Sequence, residues 1–268
     1  MMKQGKVILL GAGPGDLDLL TIKAMKALML ADVVLLDDLA NPEIASLAPQ
    51  AQLIRVGKRG GCKSTPQDFI QRLMRRYALQ GKVVVRVKGG EVLLFGRAGE
   101  EISFLQAAGV TVEIINGISS GLAAAASLGI SLTHREHCQG VTFVTAHAQD
   151  HSEPNWQALA QTGTTLVIYM GMSRIAQVTT GLLKTLSPNT PAAVVQWAST
   201  PAERRLISSL GHLALDAQAA QMGSPAIILV GEAIGEAIGE AIGEAIGEAI
   251  GEAIGEARER GVGEAVAA

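Results

Sequence analysis

Short apolar runs and stretches of helical spacing alternate along the first 115 residues. Apolar runs at 6–10, 31–38 and 83–87 are too short for helices, and glycine or aspartate ends each of them, which predicts buried strands. Between the runs, apolar side chains recur every three or four positions, which predicts helices. This order predicts βαβ units, in which right-handed crossovers place the strands parallel in one sheet.

The same pattern starts again after a polar hinge at 116–120. Apolar segments at 141–145, 165–169, 192–196 and 226–230 predict strands, 204–209 is a further candidate, and segments 156–161 and 174–186 predict helices. We therefore expect an α/β fold with an N-terminal domain of residues 1–116 and a C-terminal domain of residues 117–233.

From Gly231 the chain repeats Gly-Glu-Ala-Ile six times. A four-residue period drifts by about 40° per repeat on a helix of 3.6 residues per turn, and each interior glycine costs about 1 kcal/mol relative to alanine. No stable apolar face forms in this way. We expect the first copy to finish the last strand and the tail, residues 234–268, to be disordered or a fraying helix, and we assign no chemistry to the other copies.

Composition narrows the class of ligand. The chain has 268 residues and a net charge of −3, but nine Glu and two Arg in residues 231–268 leave a charge of +4 on residues 1–230. A mildly basic body with 3% aromatic residues and no basic stripe favours an acidic small molecule over nucleic acid. No signal peptide or membrane segment is visible, and the two cysteines lack metal spacing, so we expect a cytoplasmic protein.

Two glycine motifs follow predicted strands. GAGPGD at 11–16 resembles a dinucleotide fingerprint with Asp37 as the ribose ligand, which leaves an NAD(P)-dependent oxidoreductase as an alternative. Asp16 stands where that fingerprint has its third glycine, and Pro14 removes an amide donor that a pyrophosphate needs. The loop, like Gly89-Gly90 after the strand at 83–87, suits a ligand that approaches the backbone closely but carries no phosphate.

Four charged residues are candidates for chemistry. Asp37, at the end of a strand, is either a general base or the cap of the following turn. Lys58 is either a proton donor or a solvated loop lysine. Arg97 and Arg135 lie at predicted turns, and each offers a planar fork for a carboxylate.

The histidines predict no metal site. His147 and His151 are four residues apart, but neither a third ligand nor a neighbouring glutamate base is apparent, so a surface loop is the favoured interpretation. The same interpretation applies to His134 and His137.

Taken together, these motifs resemble the uroporphyrinogen-III C-methyltransferases of the tetrapyrrole methylase family. The resemblance covers residues 5 to about 233. Its landmarks stand in order: GAGPGD (11–16), GKRGGCKSTPQ (57–67), VKGGEVLLFGRAGEE (87–101), NGISS (116–120), LTHRE (132–136), YMG (169–171) and SPAIILVG (224–231).

The resemblance implies two α/β domains of the tetrapyrrole methylase fold, usually in a homodimer, with S-adenosylmethionine in the cleft between the domains. It implies catalytic roles for Asp37 as proton acceptor, Lys58 as proton donor and Arg97, and substrate contacts for Arg97, Glu100 and Arg135. The implied cofactor contacts are Pro14, Gly89, Gly90, Glu91, Leu94, Ser119, Ser120, Met170, Ala198 and Ala226.

The implied reaction adds methyl groups at C2 and then C7 of uroporphyrinogen III, and gives precorrin-2 by way of precorrin-1 together with S-adenosylhomocysteine. It needs no metal. The product can serve sirohaem, cobalamin or haem d1 synthesis, and the sequence does not distinguish these pathways.

The chain departs from the family's usual residues near the cofactor. Where the family usually has Asp, Pro and Phe, this chain has Glu91, Val92 and Leu93, and where the family usually has Pro, it has Asn116. On either side of Asp37, it has Leu36 in place of Tyr and Asp38 in place of Arg. Glu91 is one methylene longer than Asp, which predicts weaker cofactor binding that Glu91→Asp would tighten. A weakened or non-catalytic relative is therefore an alternative.

Overall fold

The computed structural model describes residues 5–57, 65–147 and 153–236. These residues form two five-stranded sheets flanked by helices, which confirms the predicted α/β class. The chain divides into two compact units: one takes in Met1–Ser127, Val195–Arg204 and Gly223–Ile227, and the other takes in the remaining segments. Compact units need not coincide with domains, so the boundaries 1–116, 117–233 and 234–268 stay a prediction.

The first sheet is entirely parallel. Its strands are β1 (Lys6–Gly11), β2 (Val33–Leu36), β3 (Gln52–Arg55), β4 (Val83–Lys88) and β5 (Thr111–Ile115), in the order β3-β2-β4-β1-β5. β1 and β4 pair in the centre, from Lys6 opposite Val83 to Gly11 opposite Lys88. The chain leaves β1 toward β2 on one side and leaves β4 toward β5 on the other. This is the switch point at which open α/β sheets bind ligands.

Both faces of the inner strands of this sheet are covered, which explains the uninterrupted apolar runs of β1 and β2. Ile8 and Leu10 of β1 belong to a core cluster with Leu28, whereas Val7 and Leu9 belong to a second cluster with other helices. Successive side chains of a strand point to opposite faces, so both faces need apolar residues. The helices of this part are α1 (Ile22–Met29), α2 (Gln67–Leu79), α3 (Ala98–Ala107) and α4 (Ser120–Ser127), with 3₁₀ turns at Leu17–Leu19 and Pro42–Leu47.

The second sheet has the order β6-β7-β10-β8-β9. Its strands are β6 (Val141–Thr145), β7 (Thr165–Tyr169), β8 (Pro191–Gln196), β9 (Arg204–Ser209) and β10 (Ala226–Val230), and the candidate strand at 204–209 is thereby confirmed. The helices are α5 (Trp156–Ala160), α6 (Ile175–Leu182) and α7 (Leu213–Ala219), with a 3₁₀ turn at Met172–Arg174. The sequence analysis missed α7 and extended α6 too far.

The expected end of the last strand is wrong. β10 stops at Val230, because Gly231 adopts a φ of +146° and turns the chain. The first Gly-Glu-Ala-Ile copy then forms a 3₁₀ turn at Glu232–Ile234, in which Ala233 and Ile234 are fully buried. The predicted disorder of the tail concerns residues that, beyond Glu236, lie outside the described part of the chain.

Within the described ranges, the structure contains no helix with the length and apolarity that crossing a bilayer requires.

Candidate active site

Three turns at the carboxyl ends of β1, β4 and β5 touch through their backbones. A Cβ built on Gly11 would lie 2.6 Å from the Gly117 nitrogen, and one on Gly117 would lie 2.5 Å from the Gly90 oxygen. Gly13 and Gly90 exchange two backbone hydrogen bonds, of 3.2 and 2.7 Å. We call the backbone contact among Gly11, Gly90 and Gly117 the glycine junction. Side chains at Gly11 or Gly117 would force the turns apart, and Gly90 has a φ of +68°, which side-chain-bearing residues rarely adopt, so the junction requires glycine.

Glu91 links two of these turns. Its Oε2 accepts a hydrogen bond from the Gly117 nitrogen at 2.8 Å, and its Oε1 accepts from Asn116 Nδ2 at 3.2 Å and from the Leu93 nitrogen at 3.0 Å. Hydrogen bonds to a charged acceptor are stronger than neutral ones. Glu91 therefore holds the turn after β4 against the hinge after β5, in addition to any role toward a cofactor.

Asp37 directly follows β2 and remains partly accessible. Its Oδ1 lies 3.6 Å from Nη2 of Arg86, whose side chain is 3% exposed. Nη1 of Arg86 donates to the carbonyl of Val87 at 3.0 Å, and the Asp37 nitrogen donates to the same carbonyl at 3.3 Å. The guanidinium therefore pairs electrostatically with the carboxylate at the sheet edge, at a distance beyond that of a hydrogen bond.

Beneath Asp37 lies a buried group of charges on β4 and α3. Glu101 is fully buried, and its Oε1 accepts from Gln67 Nε2 at 2.8 Å and lies 3.6 Å from both Arg86 Nε and Lys88 Nζ. Burial lowers the pKa of Lys88, and the neighbouring Arg86 lowers it further, while Glu101 opposes both. We call Asp37, Arg86, Lys88 and Glu101 the charge quartet.

The sequence analysis missed three members of the quartet. Arg86 and Lys88 carry a signal, because two cations interrupt a β-branched strand that is buried on both faces, where unpaired charges are rarely found. Glu101 carries none, since its burial follows from how α3 packs on the sheet.

Arg97 and Glu100 form an exposed pair at the start of α3. Arg97 Nε and Nη2 donate to the two Glu100 oxygens at 2.8 and 2.7 Å. This hydrogen bonding raises the pKa of Arg97 and lowers the pKa of Glu100. A substrate carboxylate that approaches Arg97 therefore competes with Glu100 for the guanidinium.

The structure brings most of the predicted cofactor residues into one compact unit. The described members in the first unit are Pro14, Gly89, Gly90, Glu91, Leu94, Ser119, Ser120, Ala198 and Ala226. The segment that carries Ala198 adjoins the first loop, since a Cβ on Gly15 would lie 2.4 Å from Cγ2 of Thr200 and 3.8 Å from the Ala198 oxygen. Met170 and the exposed Arg135 belong to the second unit, and Lys58 lies outside the described residues.

Left-handed backbone occurs at several non-glycine residues. Phe95, Arg97, Met170, Trp197 and Ser199 have φ values between 53° and 58°. Non-glycine residues pay of order 1–3 kcal/mol for such conformations, which accumulate at functional sites. Met170 directly follows β7, and Trp197 directly follows β8, as expected for residues at a ligand-binding edge.

Comparison with known proteins identifies the family. Residues 6–214 match the family model described as Tetrapyrrole (Corrin/Porphyrin) Methylases. The chain belongs to this family. The predicted family is thereby confirmed.

Similar proteins cover 85–86% of this chain. It is 55% identical over 229 residues to the uroporphyrinogen-III C-methyltransferase of Pseudomonas aeruginosa, which is 85% of this chain and 94% of that protein. Identity to the Bacillus subtilis enzyme of the same name is 43% over 234 residues, or 86% and 91%. A crystal structure of uroporphyrin-III C-methyl transferase from Thermus thermophilus, complexed with S-adenyl homocysteine, superposes with a TM-score of 0.75 at 38% identity and covers 86% of this chain and 99% of that chain.

Proposed function

We propose that this protein transfers methyl groups from S-adenosylmethionine to C2 and then C7 of uroporphyrinogen III and releases precorrin-2 by way of precorrin-1. The observation that carries the proposal is the 55% identity to a uroporphyrinogen-III C-methyltransferase over 94% of that protein. The comparisons confirm the predicted activity, since relatives that are 55% and 43% identical to this chain are named uroporphyrinogen-III C-methyltransferases. They also confirm the predicted methyl donor, since a similar solved structure is complexed with S-adenyl homocysteine.

The residues at the sheet edge suit S-adenosylmethionine. The first loop and the turns of the glycine junction present backbone amides and carbonyls, without intervening side chains, to a ligand that carries an amino acid and an adenosine but no phosphate. Pro14, Gly89, Gly90, Glu91, Leu94, Ser119, Ser120, Met170, Ala198 and Ala226 are the residues that would hold it. When bound, it supplies an electrophilic methyl group.

The oxidoreductase alternative is not favoured. The Asp16 carboxylate accepts a hydrogen bond from the Asp18 nitrogen at 2.9 Å and caps the 3₁₀ turn at Leu17–Leu19. A dinucleotide fold places a glycine and the start of a long helix there. In this chain, α1 begins only at Ile22.

Asp37 is the proposed proton acceptor. Formation of the new carbon–carbon bond leaves a positive charge on the macrocycle, and loss of one proton to a base removes that charge. The Asp37 backbone is tied to the Val87 carbonyl at the sheet edge, and its carboxylate pairs electrostatically with Arg86 at 3.6 Å. A base fixed before the substrate arrives needs no reorganisation during the reaction, which is the general advantage of a positioned group.

The basic side chains suit a substrate with eight carboxylates. Arg97 and Arg135 are the proposed carboxylate ligands, Glu100 holds Arg97 until the substrate binds, and Lys58 is the proposed proton donor. The charge of +4 on residues 1–230 adds long-range attraction for such a polyanion. A cytoplasmic homodimer remains part of the proposal, with no contact to nucleic acid or membrane.

The test is methyl incorporation under anaerobic conditions. The protein is incubated with S-adenosylmethionine and enzymatically generated uroporphyrinogen III, and the product is analysed by mass spectrometry. Two added methyl groups are the expected result. No methyl transfer by a protein that binds S-adenosylhomocysteine would instead support the non-catalytic relative.

A further inference from the structure

Two histidines and a glutamate meet in the second compact unit. One ligand atom from each of His134, His137 and Glu236 lies within 4.8 Å of the others. Nε2 of His134 is 3.2 Å from Oε1 of Glu236, and the two imidazole rings stack with centroids 4.4 Å apart. The sequence analysis assigned these histidines to a surface loop because a third ligand was not apparent. Glu236 is separated from His137 by about a hundred residues of sequence, so spacing alone does not reveal it.

We propose that His134, His137 and Glu236 bind a divalent transition metal, with Zn²⁺ as the best match. Two imidazoles and one carboxylate are a ligand set that Zn²⁺ prefers, with bonds of about 2.0–2.2 Å and one coordination position left for water. This site is outside the proposed methyl-transfer chemistry, which needs no metal.

The distances permit such a site after small side-chain movements. Tetrahedral ligands at these bond lengths lie about 3.3 Å apart, and the contact between His134 and Glu236 already has this separation. The remaining ligand atoms must approach by at most about 1.5 Å. The His134 and Glu236 side chains are 33% and 44% exposed, so neither is held in place by tight packing.

Metal binding changes the hydrogen bonding of His134. In the structure, Nδ1 of His134 accepts a hydrogen bond from the Glu136 nitrogen at 3.3 Å, which leaves the ring proton on Nε2, facing Glu236. A metal on Nε2 requires the proton on Nδ1, so the bond from Glu136 must open. This bond is long and on an exposed turn, and its loss is a small cost against metal coordination.

The site would join two segments of the second unit. Glu236 is the second residue after the 3₁₀ turn whose Ala233 and Ile234 are fully buried, so the backbone that leads to it is anchored. His134 and His137 flank Arg135 and Glu136 on the opposite segment. A bound metal therefore fixes the start of the repeat tail to the loop that carries Arg135, a residue with a proposed role in substrate binding.

Calorimetric titration of the metal-free full-length protein with ZnCl₂ tests the site. One Zn²⁺ per chain with micromolar or tighter affinity is expected, together with a higher Tm. Co²⁺ in place of Zn²⁺ is expected to give the visible absorption of tetrahedral coordination. His137→Ala and Glu236→Gln are expected to weaken binding at least tenfold.

Matched controls separate this site from other metal-binding groups. His212→Ala removes an exposed histidine that contacts Ser209, and Glu232→Gln changes the same position of the preceding repeat copy. Both controls are expected to bind Zn²⁺ like the wild type. Absence of stoichiometric binding, or binding that His137→Ala and Glu236→Gln leave unchanged, overturns the proposal. Neither result depends on whether the protein methylates uroporphyrinogen III.

Discussion

Asn116 Nδ2 donates a hydrogen bond of 3.2 Å to Oε1 of Glu91. Both residues replace ones that the resembled family usually has, Pro and Asp respectively, and the structure shows that the two replacements are in contact. A proline at 116 has no side-chain donor, and an aspartate at 91 is one methylene shorter. We infer that the longer carboxylate and the amide compensate for one another.

This contact reverses our expectation for Glu91→Asp. The single variant is expected to weaken S-adenosylhomocysteine binding about tenfold, because it gives up about one charge-assisted hydrogen bond across the glycine junction. The double variant Glu91→Asp with Asn116→Pro is expected to recover most of this loss. Calorimetric affinities of the single and double variants measure both effects. If Glu91→Asp alone binds S-adenosylhomocysteine more tightly than the wild type, the hypothesis that the extra methylene of Glu91 weakens cofactor binding is restored.

The glycine junction predicts a strong dependence on side-chain size. Gly117→Ala places a Cβ 2.5 Å from the Gly90 carbonyl oxygen, a backbone atom that cannot rotate away, so a loss of about 2 kcal/mol or more in the free energy of unfolding is expected. Gly99→Ala in α3 is the control, because its Cβ would meet no atom within 4 Å. This control is expected to gain up to about 1 kcal/mol. Equal stability of the two variants in urea unfolding would contradict the role of the junction.

The charge quartet predicts different costs for two neighbouring glutamates. Glu101→Gln leaves Arg86 and Lys88 buried without their common counter-charge, and about 3–5 kcal/mol of stability is expected to be lost. Glu100→Gln removes only an exposed pair with Arg97 and is expected to cost at most about 1 kcal/mol. Urea unfolding of both variants measures the difference. Similar costs would show that the quartet is effectively solvated.

Glu113 predicts a pH-dependent contribution to stability. It pairs with Lys6 at 2.8 Å and Lys23 at 3.1 Å, and hydrogen bonds from these lysines lower its pKa below the ordinary 4.5. A lowered pKa means that the stabilisation is fully present above the unfolded-state pKa and disappears as the pH falls through the folded-state pKa. Glu113→Gln is therefore expected to lose up to about 1 kcal/mol at pH 7, and this loss is expected to shrink as the pH falls through the lowered pKa of Glu113. A difference from the wild type that stays constant as Glu113 becomes protonated would contradict this assignment.

The sequence predicted the bounds of the strands better than it predicted the contacts between the turns and helices that follow them. β6, β7, β9 and β10 have the predicted bounds, because turn residues and apolar runs are local signals. The contact between Glu91 and Asn116 and the burial of Glu101 depend on packing between segments that are distant in sequence. The metal candidate Glu236 lies in the repeat tail, whose sequence predicts no stable element, and the burial of Ala233 and Ile234 anchors the segment that precedes it.

The most direct test of the account compares Asp37→Asn with Asp38→Asn in a single-turnover methylation assay. Asp37 contacts Arg86 at the sheet edge, whereas the neighbouring Asp38 is exposed and serves as a control of equal chemistry. The wild type and Asp38→Asn are expected to add two methyl groups to uroporphyrinogen III. Asp37→Asn is expected to be slower by about 10²-fold or more, as for a lost general base, while its affinity for S-adenosylhomocysteine stays within about twofold. Methylation by Asp37→Asn at the wild-type rate would contradict the account.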